Sequence, residues 1–202
     1  KAQTRLVNFN PQALANTVWA FATLNHPAPK LSSAVAEHVN TFFAREGRFA
    51  SIELECLAQL HQWNLWQKEL GMKTLLCAEL QKSCLHAFRS TSTRKSNFQK
   101  QVMANLRKMG ITPDEEVQTE LGYSLDAVVS WRNFEVAIEV DGPHHFVGRN
   151  PNGATALKHR QLRSLTKIKL CSVSYWEWSP CRTAEDRQNL LRQSLNSAVG
   201  AG

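Results

Sequence analysis

The sequence predicts an α+β protein: a wholly helical segment over residues 1–92, then a small α/β domain over 93–202. Three observations carry this. Apolar residues recur at helical spacing through the first ninety positions. Two stretches near residues 123–141 alternate apolar and polar residues, as strands do. Between them, Arg89-Ser-Thr-Ser-Thr-Arg-Lys-Ser96 is polar and aperiodic, which reads as a linker or an exposed loop. The 202 residues, 43% hydrophobic, suffice for one mid-sized domain or a compact domain with a helical unit. With 20% charged residues, wholesale disorder is excluded, and no apolar run is long enough to span a membrane.

The first helix opens at Asn10-Pro11, with Pro at its first position. Leu14, Val18, Phe21 and Ala22 form its stripe, and Asn25-His26-Pro27-Ala28-Pro29 ends it. Further helices are expected over 31–45, stopped by Gly47, over 51–63, and over 72–88. Helices 10–24 and 50–64 each begin beside a Phe (Phe9, Phe49), and Leu14 falls in register with Leu54. Such a period suits an α-solenoid built of helix pairs, and an ordinary four-helix unit suits these residues nearly as well.

Ser96 caps a helix over 97–109, with Phe98, Val102, Leu106 and Met109 on one stripe and Gly110 closing it. A short strand is expected over 116–121. Residues 123–130 place Tyr123, Leu125, Ala127 and Val129 opposite Ser124, Asp126, Val128 and Ser130. After the turn Trp131-Arg132-Asn133, residues 134–141 alternate again, so the two strands form an antiparallel hairpin. Asp141-Gly142-Pro143 supplies turn chemistry. A basic helix over 153–166, a strand over 168–175 and a final amphipathic helix capped at Thr183 complete the domain.

Asp126, Glu139 and Asp141 fall on the polar face of the hairpin, with His144 and His145 just beyond it. Two readings stand. Charges on a strand's polar face are solvated by default, and on periodicity alone this one is preferred. Alternatively, clustered carboxylates are what a hard divalent cation such as Mg²⁺ or Mn²⁺ requires, and such an ion polarises a phosphodiester. From Arg149 to Lys169 the chain carries Arg149, Lys158, Arg160, Arg163, Lys167 and Lys169 with no acid between them. That run favours phosphate contact, in keeping with a net charge of +7. The five cysteines, odd in number and without CxxC spacing, read as reduced core thiols. The start at Lys1 reads as a fragment of a longer protein, with any targeting sequence missing.

The strings Ser124-Leu125-Asp126, Glu139-Val140-Asp141-Gly142-Pro143-His144-His145-Phe146, Ala156-Leu157-Lys158-His159-Arg160 and Trp176-Glu177-Trp178, in that order, resemble the RAP domain across about residues 97–180. The run from Phe9 to Ala22 is similar to the helix pairs of octotricopeptide and FAST-kinase-like proteins that precede RAP domains, which raises the solenoid reading above the four-helix one. The resemblance implies RNA binding in mitochondrial or plastid RNA metabolism: transcript processing, stability, translation or assembly of an organelle ribosome or other ribonucleoprotein. With RNA as the partner, the basic run and the histidines before it are the expected contacts: His144, His145, Arg149, Lys158, Arg160, Arg163, Lys167 and Lys169. RAP domains are in turn similar to the restriction-endonuclease-like, PD-(D/E)XK fold. Carried over, Asp126 and Glu139 are the two acids of a metal-dependent endoribonuclease, and Asp141 stands where that pattern wants Lys. Lys158, from the following helix, would then be the substitute cation. Stacking of bases on Trp131, Trp176 or Trp178 is a further expectation, with Trp176 assigned to the core.

Overall fold

The computed structural model describes residues 9–46, 54–90 and 95–200. The chain divides into two compact units, Lys1–Ser92 and Thr93–Gly202.

Among the described residues, the first unit holds four helices: α1 (Pro11–Thr23), α2 (Pro29–Glu46), α3 (Leu54–Glu69) and α4 (Ala78–Ser90). Asn10 caps α1 by accepting from the Ala13 amide at 2.8 Å. α3 packs against both α1 and α4, so its buried residues run nearly all round it: Cys56, Leu57, Leu60, Trp63, Leu65 and Trp66. A helix covered on two sides loses its stripe, which is why the periodicity at 51–63 breaks off six residues before the helix does. The expected register also changes. Leu14 is fully buried while Leu54 is 60% exposed; Leu14, Ala15 and Val18 correspond in burial to Cys56, Leu57 and Leu60. Gly47, Phe49 and positions 50–53 lie outside the described residues. α4 starts at Ala78, later than the expected 72, because Asn40 holds the preceding loop. Its amide donates to the Leu75 carbonyl and its carbonyl accepts from Cys77 N–H, both at 2.9 Å.

The second unit is a four-stranded sheet between helices. α5 (Asn97–Lys108), capped by the Ser96 hydroxyl, leads into β1 (Asp114–Gln118), β2 (Ser124–Trp131) and β3 (Phe134–Asp141). A 3₁₀ turn (Pro143–His145), a small hairpin of β4 (Phe146–Val147) and β5 (Asn150–Pro151), and α6 (Gly153–Leu165) follow. Then come β6 (Lys169–Ser174), the single helical turn α7 (Tyr175–Trp178) and α8 (Ala184–Val199). The strand order is β1-β2-β3-β6, antiparallel except that β6 runs parallel to β3. The Arg132-Asn133 turn has both residues at positive φ, 49° and 66°. That is the geometry a tight two-residue hairpin needs, and Asn tolerates it. β1 ends earlier than expected because Thr119 and Tyr123 close a tight turn: the Thr119 amide donates to the Tyr123 carbonyl at 2.8 Å.

The apolar face of the sheet meets α5 and α8. Val102, Met103, Leu106, Leu191 and Leu195 pack on Ala127, Val129, Val136, Ile138, Val140, Cys171 and Val173. Trp178 joins this core, 5% exposed, with its indole N–H donating to Gln101. Trp131 packs at the edge of the same core and donates to Asn196 at 3.0 Å. Trp176, expected in the core, is instead half-exposed and stands edge-on to Phe146, ring centroids 4.1 Å apart. The strand ends at Ser174, and the helical turn that follows sends Trp178, not Trp176, inward.

The five cysteines are free thiols. Burial pushes Cys84 and Cys171 up to about 12, so neither is a nucleophile at neutral pH. No helix among the described residues is long and apolar enough to cross a membrane.

Candidate functional site

The end of the hairpin's polar face that carries Glu139 and Asp141 is buried, which overturns the solvated reading of these two acids. β3 is an interior strand, and α6 closes over its second face. From Val136 to Asp141 every residue is buried, with Glu139 4% and Asp141 1% exposed. A strand between two layers has no water-facing side, so over residues 136–141 the alternation separates two interiors rather than inside from outside.

α6 begins where Asn152 accepts from the Thr155 amide at 2.9 Å. It directs Lys158 and His159 at the acids. The Lys158 ammonium donates to Glu139 Oε2 at 2.6 Å and to the Ser124 carbonyl at 2.8 Å. His159 Nε2 lies 3.4 Å from Asp141 Oδ2. The Ser172 hydroxyl, opposite Glu139 in the β3–β6 register, donates to Asp141. His145 Nδ1 lies 3.1 Å from Thr155 Oγ1 and 3.6 Å from Asp141 Oδ1, with its ring half-exposed at the rim.

Asp126 has a different task. Its Oδ2 accepts from the Val140 amide at 2.7 Å, taking a backbone donor of β3 to a side chain of β2. On its other side, Glu116 of β1 sits at φ 58°, a left-handed conformation inside a strand. The paired residues flanking it, Glu115↔Ala127 and Val117↔Leu125, place it across from Asp126. Unfavourable backbone of this kind persists only where the surroundings over-determine it.

Electrostatics follow burial. Desolvation raises Glu139 to about 8, against the pull of Lys158. Asp126 is raised by burial too, opposed by the Val140 N–H. His159 is lowered, again chiefly by burial, although Asp141 pulls it the other way. Two buried atoms, Glu139 Oε1 and His159 Nε2, have no hydrogen-bond partner. Glu139, Asp141 and His159 each offer a ligand atom, all within 4.8 Å of one another. The donor set therefore fits a divalent cation. Of the three acids expected together, Glu139 and Asp141 meet there; Asp126 adjoins them through Val140, and His159 takes the third place. Sequence reasoning counted His159 only as part of the basic run. Its position on the turn of α6 that carries Lys158 is the signal that would have found it.

The basic run divides. Lys158 is turned inward, so its ammonium is committed to Glu139 rather than presented to a phosphate. His144 and Arg149 are exposed on the segment after β3, and Arg160 is half-buried. Arg163, Lys167 and Lys169 gather along an open groove of about 970 Å³. β6 is an edge strand, and the groove follows it between the end of α6 and α8. Ile168, Leu170 and Leu190 form its apolar lining, and Ser172, the Asp141 partner, also lines it.

Residues 138–194 match the RAP domain family. The matched stretch includes Glu139, Asp141, α6, the groove-lining β6 and most of α8.

Proposed function

We propose that this chain is an RNA-binding protein of organelle RNA metabolism, acting on mitochondrial or plastid transcripts or ribosomal RNA. The observation that carries the reading is the groove along β6. Three cations line it, and Glu177, the one acid lining it among the described residues, already accepts from the Ser174 hydroxyl. A cationic channel with apolar lining suits a single strand, whose phosphates meet the cations while bases lie on apolar surface. The match to the RAP domain supports RNA as the partner. In this reading residues 1–92 are the end of a helical-repeat segment that reads single-stranded RNA, and residues 93–202 are the RAP domain proper. The partners are then a transcript or a ribonucleoprotein such as an organelle ribosome. The test is direct binding of single-stranded RNA by the purified chain, with and without the groove cations. RNA binding indifferent to their removal would refute the assignment.

A second reading, metal-dependent endoribonuclease of the PD-(D/E)XK type, is favoured by Glu139 Oε1, buried without a hydrogen bond, standing with His159 Nε2 beside Asp141. Bound there, Mg²⁺ or Mn²⁺ would supply Lewis-acid polarisation of a phosphodiester. The chain's own part is legible. Lys158 holds Glu139 in place, Ser172 holds Asp141, and His145 stands half-exposed 3.6 Å from Asp141 Oδ1, in position for a general acid or base. Asp141 occupies the position at which the nuclease pattern has Lys, and Lys158 brings that charge from α6. Cleavage of RNA in Mn²⁺ or Mg²⁺ that is lost in Glu139→Gln, with folding intact, tests this reading. RNA left uncut by the purified chain with either ion refutes it. A non-catalytic structural subunit of a ribonucleoprotein is the remaining outcome if RNA is bound and never cut.

A further inference from the structure

We infer that Glu139, Asp141 and His159 form a mixed oxygen and nitrogen site for a divalent first-row transition ion, selective for Mn²⁺ or Zn²⁺ over Mg²⁺. The inference deepens the metal-dependent reading above, and it stands apart from RNA binding.

Buried polar atoms are almost always paired. Here Glu139 Oε1 has no hydrogen-bond partner and His159 Nε2 has only its 3.4 Å approach to Asp141 Oδ2, and both residues are more than nine-tenths buried. Neighbouring side chains are held by hydrogen bonds, and each such bond orients a donor. Lys158 fixes Glu139 through Oε2. Ser172 fixes Asp141, and Thr155 engages His145. Asp126 is spent on the Val140 amide, which leaves it outside the site. Outer partners that hold ligands in place in this way are the usual surroundings of a metal centre.

Spacing agrees. Adjacent ligands of an octahedral ion at about 2.1 Å lie about 3 Å apart. His159 Nε2 and Asp141 Oδ2 are 3.4 Å apart, and all three ligand atoms lie within 4.8 Å of one another. A small closure of the Glu139 and His159 side chains completes the set. The donor types then choose the ion. Mg²⁺ takes oxygen and keeps its waters, whereas an imidazole suits the first-row transition ions. Three protein ligands would leave coordination positions open, and the half-exposed His145 ring lies 3.6 Å from Asp141 Oδ1 beside them.

Mn²⁺ binding to the 202-residue chain is read by electron paramagnetic resonance, with Zn²⁺ and Mg²⁺ as competitors. The expected result is one Mn²⁺ per chain, displaced by Zn²⁺ at a concentration at least about tenfold below that of Mg²⁺. Zn²⁺ should also shift the His159 Nε2 resonance in ¹⁵N spectra of the wild-type chain. His159→Gln should weaken Mn²⁺ by about tenfold or more, with circular dichroism confirming the fold. Two outcomes overturn the inference. One is Mg²⁺ competing as well as Zn²⁺ while the His159 resonance stays still, which makes the site oxygen-only. The other is no bound Mn²⁺ up to about 1 mM, which makes the cluster an internal polar network. Should His159→Gln unfold, the wild-type competition and resonance decide alone. RNA affinity in chelator separates the metal site from the groove: retained affinity without ion binding sinks this inference and the metal-dependent reading with it, Mg²⁺ competing as well as Zn²⁺ sinks this inference alone, and ion binding without RNA affinity sinks the groove assignment only.

Discussion

Replacing the three groove cations, Arg163→Ala with Lys167→Ala and Lys169→Ala, tests the RNA path quantitatively. Each phosphate neutralised on a single strand contributes about 0.7 to the slope of log affinity against log salt. Three cations line the groove, so the triple variant should lower that slope by about 2. Extrapolated from 1 M to 0.1 M salt, a slope change of about 2 corresponds to about a hundredfold loss of affinity at the lower salt. The assay is fluorescence anisotropy of a labelled single-stranded RNA, titrated at several salt concentrations. The control is Lys158→Met, whose ammonium faces Glu139 and Ser124 rather than the groove; its slope should match wild type. The fold should survive the triple change, since Arg163 and Lys167 are exposed and Lys169 lies over the Phe134 ring at 5.6 Å without reaching the core. An unchanged slope in the triple variant, or an equal fall in Lys158→Met, would refute the argument.

Other outcomes follow from the same geometry. Lys158→Met strands Glu139 Oε2 and the Ser124 carbonyl, and should cost about 1–3 kcal/mol in urea unfolding. Because Glu139 is raised to about 8 when folded, the unfolded chain releases this proton at lower pH than the folded chain does. Stability should therefore fall as pH rises from the ordinary glutamate range towards 8, and Glu139→Gln should flatten that fall in a series of thermal melts. Trp178→Ala should cost about 3–5 kcal/mol because it empties core volume. Trp176→Ala, at a half-exposed position, should cost far less in the same unfolding measurement.

Local chemistry was legible in the chain itself. Ser96 and Thr183 were readable as caps because a cap is made by residues three apart, and both bonds are present. The β2–β3 hairpin was readable because alternation and a short polar turn are properties of neighbours, and β3 runs over the expected residues 134–141. The same alternation put Glu139 and Asp141 on one face. What covers that face was beyond it. Period-two patterning separates two sides of a strand but does not say that α6 lies on the second, so solvated acids were the default and buried ones are the fact. Lys158, Arg163 and Lys167 read alike as cations on one helix. Only the packing of α6 on the sheet turns Lys158 to Glu139 and leaves the other two along the edge of β6. His159 joined the acids for the same reason, since a residue's partner across a parallel crossover is distant in sequence and set by tertiary contact. The chain alone determined which segments become helix or strand and which side chains share a side. The tertiary structure decided which of those sides lose water, and so which charges became a site, because burial is a property of layers in contact.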